Sequence, residues 1–145
     1  MQENESSVGQ SLVRLARAYT AALSAHLRPL SLTPAQHLVI MELQQQGEQT
    51  QRQLATSLAV EQATMANTLA RMSRDGLIVR RPHPDDGRAQ LTSLTAAARE
   101  LVGPAGRAQN LADQQVLAAL PIAEQALFAS MLARVSAAMD IADDS

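Results

Sequence analysis

Apolar positions along this 145-residue chain recur mostly at helical spacing, and a short strand-like segment breaks that rhythm between Gly76 and Thr95. Steps of three and four return to one face of a helix. Val8, Leu12, Leu15, Tyr19, Ala22, Leu23 and Leu27 therefore mark a long first helix that ends before Pro29. Thr33–Pro34–Ala35–Gln36 opens a second helix: the Thr hydroxyl and the Gln side chain satisfy free amides of the first turn, and Pro at the first position needs no donor. That helix carries Leu38, Val39, Met41 and Leu43 and stops at Gly47. Thr50–Gln51–Arg52–Gln53 repeats the capping pattern and starts a short helix with Leu54, Ala55 and Leu58 on one face. After Ala59–Val60–Glu61 a further helix runs to about Asp75, with Met65, Leu69 and Met72 as its inner stripe and Gly76 as its stop. An Ala-rich helix follows Thr95 to roughly Leu120, interrupted at Gly103–Pro104, where the missing N–H and the crowded ring predict a kink. The last helix follows Pro121, with Leu127, Phe128, Met131, Leu132, Val135 and Met139 on one stripe.

Between Gly76 and Thr95, the runs Leu77–Arg81 and Leu91–Leu94 flank a polar loop containing Pro82, Pro84, Asp85, Asp86 and Gly87. These are turn-building residues, so the segment is predicted to be a hairpin. Glu48–Gln49–Thr50 is expected to pair beside it as a minimal third strand. Near the tip, Arg88 carries a charge it cannot lose near neutral pH. Asp86, two residues earlier, is placed to hold that guanidinium in one orientation. The order helix, turn, helix, Gly and charged hairpin is that of a winged helix–turn–helix. The outer face of the second helix of the pair would carry Ala63, Thr64, Asn67, Thr68, Arg71 and Arg74. Such a mixture suits a major groove: Asn pairs with adenine, a Thr methyl touches thymine, and Arg reaches guanine or phosphate. Gln62 lies beside that face, and Gln51 and Arg52 lie where phosphate contacts are expected.

The stretches LATSLAVEQATMANTLARMSRDGLIVRR and PDDGRAQLTSLT resemble the MarR family of bacterial transcriptional regulators. The resemblance extends more loosely to the long first helix, the helix opening at Thr33–Pro34 and the two C-terminal helices. It implies a mainly α (α+β) fold, in which residues 33–95 form the winged helix–turn–helix and residues 1–32 and 96–145 form a helical dimerisation region. It also implies that Asp86 and Arg88 correspond to a D-x-R wing motif whose Arg enters the minor groove. A symmetric homodimer that represses promoters and is released by a small molecule or another signal is the implied function. Two positions depart from the family pattern: Asn67 stands where Arg is common, and Gly87 stands where relatives often carry a third charge.

Composition fits this reading, with one qualification from charge. At 46% hydrophobic residues the chain can build a core for one domain. No run approaches the ~20 apolar residues of a membrane span, and MQENESSV lacks the basic and apolar regions of a signal peptide. A bacterial cytoplasmic protein, associated with the nucleoid when bound, is therefore expected. With no cysteine there is no disulfide framework and no thiol sensor. Net charge is −2, unlike a typical nucleic-acid binder, yet residues 51–90 hold six Arg against four acids, a local +2 that leaves −4 elsewhere. Such asymmetry orients encounter with DNA more than total charge does. Every basic side chain is Arg, a residue suited to bidentate contacts with phosphate and guanine.

The terminal apolar stripes suggest packing against a second copy, and two recognition helices ~34 Å apart would read a near-palindromic operator in double-stranded DNA. The other explanation is that these stripes cover the core of one monomer. The resemblance implies an effector lodged between the dimerisation helices and the winged domain, and mapping that region by order along the chain makes Tyr19, His26, Arg28, His37 and Met41 candidate lining residues. Arg28 is suited to an anionic group, so a small, anionic, aromatic effector is the expected partner. For Tyr19, His26 and Met41, ordinary packing is the competing role. Only His26, His37 and His83 could bind a metal through imidazole, and no metal or cofactor is expected. An enzyme is not expected either, for the chain has no cysteine, no G-x-S-x-G, no phosphate-cradling Gly loop and no paired metal-ligand motif. The alternative to DNA regulation is a winged-helix module that binds another protein. Such a surface would favour aromatic anchors, and the two aromatics, Tyr19 and Phe128, fall outside the predicted DNA face.

Overall fold

The structure is a computed structural model describing residues 7–143, with side chains through residue 140. The run MQENES, read above for its lack of signal-peptide character, lies outside the described residues, as do positions 144 and 145. Helix α1 (Val8–Leu27) passes through a 3-10 turn (Arg28–Leu30) to α2 (Pro34–Gln46), followed by β1 (Gln49–Thr50), α3 (Gln51–Ser57) and α4 (Gln62–Arg74). The hairpin β2 (Ile78–Pro82) and β3 (Gln90–Leu94) leads to α5 (Ala96–Leu117) and α6 (Ile122–Asp143). Each capping box expected at Thr33 and Thr50 forms with both of its hydrogen bonds, and Ser7 makes a third at the start of α1. Gly47 and Gly76 stop α2 and α4 with φ of 79° and 72°, values that favour glycine. Ala59 holds φ 53° in the turn between α3 and α4, at an intrinsic cost of about 1–2 kcal/mol for an L-residue.

The chain divides into two compact units, one through Ala112 and one from Asp113 onward. In the first, an antiparallel sheet has the order β1-β3-β2, with Gln49 opposite Thr92 and Ile78 opposite Leu94. The expected minimal strand at β1 is present. The core gathers Leu23 and Leu27 of α1, Val39, Ile40 and Leu43 of α2, Leu54 of α3, Met65, Leu69 and Met72 of α4, and the small residues Ala98, Ala105, Ala108 and Ala112 of α5. Leu38 instead faces outward from α2. Thr95 joins the hairpin to α5: its hydroxyl donates to the Gly76 carbonyl at 2.7 Å and accepts from the Ala98 amide at 3.2 Å.

Helix α5 runs through Gly103–Pro104 as one element. Proline removes a single i→i−4 bond, and the buried alanines around it hold the flanking turns. The helix also ends at Leu117 rather than Leu120. In the second unit, the Gln125 side chain donates to the carbonyls of Leu117 and Leu120 at 3.0 and 3.1 Å, which closes the corner before α6. Among the described residues no single helix is long and apolar enough to cross a membrane.

Replacing Thr95 by Val keeps the shape and removes both hydroxyl bonds. The expected loss is about 1–2 kcal/mol, read as a lower urea midpoint with an unchanged denaturant slope.

Candidate nucleic-acid interface

Helix α4 buries Met65, Leu69 and Met72, and the 3.6-residue period then turns Ala63, Thr64, Asn67, Arg71 and Arg74 to solvent. Gln62 is exposed at its first turn. Thr68 is half-buried, and its hydroxyl donates to the Thr64 carbonyl at 3.0 Å, so the oxygen keeps both lone pairs as acceptors. Arg71 and Arg74 lie in the last turn, where a cation also complements the helix dipole. The Gln51 amide reaches the backbone and side-chain oxygens of Gln62 at 3.4 Å, linking the first residues of α3 and α4. Arg52 is exposed beside it.

The wing stands against these residues across an open cleft of about 580 Å³, lined by Gln51, Arg52 and Gln62 on one side and by Arg80, Asp86 and Arg88 on the other. The loop is closed by the His83 amide on the Ala89 carbonyl at 3.0 Å and the Ala89 amide on the Asp86 carbonyl at 3.1 Å. The Asp86 carboxylate does not hold the Arg88 guanidinium, as the sequence suggested. It accepts the Arg88 backbone N–H at 3.0 Å, the local bond that aspartate favours two residues ahead in a turn. Among the described residues the Arg88 guanidinium has no ion pair. The His83 Nδ1 likewise accepts the Asp85 amide at 3.0 Å. Gly87 has no positive φ and open space where a Cβ would stand, so the wing backbone does not demand glycine there.

The wing base is tied by Arg81, whose Nε and Nη2 donate to the two carboxylate oxygens of Glu48, the Nε bond at 3.3 Å. The hydrogen bonds from Arg81 hold the Glu48 carboxyl below its ordinary value and raise the guanidinium's own. Sequence reasoning missed Arg80 and His83 as cleft residues. The signal was present, because the two-residue period of a strand puts Arg80 and Pro82 on the side opposite Val79 and Arg81.

The five effector candidates sit in different environments. His37 is fully buried and bonds Gln109 Oε1 through Nε2 at 2.7 Å, so it packs α2 against α5. Its Nδ1 is buried with no hydrogen-bond partner among the described residues. Tyr19, His26 and Met41 are half-buried, and Arg28 is exposed. A shallow groove on α1 is lined instead by Ala16, Arg17, Thr20, Ala21, Ser24 and Pro34. No group of three or more His, Cys, Asp or Glu side chains is arranged to hold a metal among the described residues.

Residues 32–89 match the model of the MarR family. A probable transcriptional regulator from Pseudomonas aeruginosa superposes with TM-score 0.83 at 32% identity, covering 89% of this chain and 96% of its own. This chain belongs to the MarR family. A MarR family protein of Mycobacterium tuberculosis, solved in complex with salicylic acid, is 28% identical, with 91% and 98% coverage and TM-score 0.73. A mutant MarR from Escherichia coli, solved with operator DNA, shares the fold at 23% identity, with 88% and 92% coverage and TM-score 0.81. As a MarR-family member the chain is a DNA-binding transcriptional regulator and not an enzyme.

The Glu48–Arg81 tie gives a pH prediction. A carboxyl lowered in the folded state contributes stability that is present above its ordinary, unfolded value and is lost as pH falls through the lowered folded value. Carbon NMR titration should find Glu48 below the usual glutamate range in the parent, and back within it in Arg81→Ala.

Proposed function

We propose that this MarR-family regulator binds a near-palindromic operator as a homodimer, represses transcription there, and is released by a small anionic aromatic effector. The observation that carries the reading is the meeting, in one compact unit, of an exposed polar face on α4 with a wing whose Arg88 guanidinium has no ion pair among the described residues. Thr64, Asn67 and Thr68 touch base edges in the major groove, and Ala63 offers a small apolar contact to thymine. Gln62 and Arg71 reach bases or phosphates beside them, and Gln51, Arg52 and Arg74 hold phosphates. Arg88 enters the flanking minor groove, where A·T-rich DNA concentrates negative potential, and Asp86 shapes the loop that presents it.

Apolar exposure on the terminal helices supports the homodimer. Val8 of α1 is 78% exposed, and Ile122 and Met139 of α6 are 87% and 68% exposed. Large apolar side chains repeated along a helix mark an association surface. On this reading residues 1–32 and 96–145 form the dimerisation region, residues 33–95 carry the DNA contacts, and the regulator works in the bacterial cytoplasm. The effector part rests on the Mycobacterium tuberculosis relative bound to salicylic acid. The exposed Arg28 and the α1 groove beside Arg17 offer guanidinium groups to such a carboxylate. Switching of this kind needs a coupling of about 1–3 kcal/mol between the two sites.

Selection of bound fragments from random duplex DNA tests the reading. A near-palindrome with half-sites one helical turn apart is the expected result, and weak, sequence-blind binding would assign the fold to protein interaction instead. Arg88→Ala should weaken operator binding while the dimer persists on a sizing column. Asn67→Ala should relax discrimination at one base pair per half-site, by about 1–3 kcal/mol.

A further inference from the structure

Arg80 and Arg81 are neighbours in sequence and leave β2 on opposite sides, as an extended strand requires. Arg81 is engaged by Glu48. Arg80 pairs in register with Thr92, which is 1% exposed, and lines the cleft together with Arg52 and Arg88. Asp86 is the single carboxylate among the lining residues, and it accepts a backbone amide. Three arginines thus line one cleft, with no ion pair to any of them among the described residues. His83 adds a donor: Nδ1 accepts the Asp85 amide, so a neutral ring carries its proton on Nε2. Like charges gathered around an open cleft are stabilised by an anion between them, and a planar guanidinium matches the oxygens of a phosphate.

We propose that this cleft is the seat of a DNA backbone phosphate. That phosphate lies between the major-groove segment met by α4 and the minor-groove segment met by the wing. Arg80 is the contact residue, and Arg81, on the other side of β2, is neutralised by Glu48 and makes no phosphate contact. The inference rests on the proposed DNA reading and adds to it a division of labour between adjacent arginines. A phosphate held there fixes how deeply α4 sits in its groove, because α3, α4 and the wing all border the same cleft.

The test measures affinity of the full chain for its selected operator, and for a scrambled duplex, across a range of salt. Arg80→Ala should lower the slope of log affinity against log salt by about 1 per half-site and weaken both duplexes by the same factor. Arg80→Lys should restore the slope, since charge is what the slope reports. Arg81→Ala should leave the slope at the parent value. An Arg80→Ala slope equal to that of the parent overturns the phosphate seat, as does an equal loss of slope in Arg81→Ala. Inorganic phosphate at constant ionic strength should not displace the duplex. Displacement that disappears in Arg80→Ala would assign the cleft to a free oxyanion and overturn the DNA seat. A parent that binds no duplex overturns the proposed function as well, whereas a parent that binds normally confines the failure to Arg80.

Discussion

Burial of Met65, Leu69 and Met72 is the constraint from which the exposed polar face of α4 follows. Each is nearly inaccessible, and full burial of a side chain of this size contributes about 1.5–3 kcal/mol. A helix anchored at three points along one stripe cannot rotate about its axis without exposing part of that stripe. The direction of Thr64, Asn67 and Arg71 is therefore a by-product of core packing. Gly76 stops the same helix at a positive φ, and Thr95 bonds the Gly76 carbonyl from the other end of the hairpin. The position of the wing is thus set by the helix end that also sets the recognition face.

The wing divides its charges between those that build it and those left for a partner. Glu48 neutralises Arg81, and Asp86 is occupied with a backbone amide. Exposed ion pairs contribute little to stability, so the Arg81 tie matters more for where β2 lies than for how firmly the domain folds. What remains uncompensated is Arg52, Arg80 and Arg88 around one cleft. The chain as a whole carries −2, yet this face is positive, and a local field orients an approaching polyanion more effectively than total charge.

The fold was legible where local chemistry and global packing agree. Thr33, Thr50, Gly47 and Gly76 marked helix ends because caps and left-handed stops depend on a few adjacent residues. The stripe Met65–Leu69–Met72 identified the inner side of α4 because periodicity alone decides it. The failures came where partners are distant in sequence or where two rules compete. Asp86 had a charged side chain and a backbone amide within reach, and the amide, already fixed by the turn, took it. The pairing of Arg81 with Glu48 spans 33 residues, and the burial of His37 against Gln109 spans 72. Neither separation leaves a trace in local pattern.

The terminal helices present the opposite problem, since their apolar pattern was plain and the described residues leave it in water. On α1 only Leu23 and Leu27 are buried, while Val8, Leu12 and Val13 stay exposed. On α6 Leu127, Met131, Leu132 and Val135 are exposed along most of its length. At roughly 25 cal/mol per Å² of apolar surface, leaving such stripes hydrated forgoes several kcal/mol. A sequence that keeps apolar residues at these spacings across two helices gains nothing from them as a lone chain. It gains from them if a second copy covers them, and the same two-fold arrangement would duplicate the recognition face and its cleft. A monomer that reads one half-site has only the contacts of a single α4 and wing. Coupling two of them through apolar surface makes the second half-site an intramolecular event. On the proposed dimer, the exposed helices would raise the effective concentration at which the uncompensated arginines meet DNA.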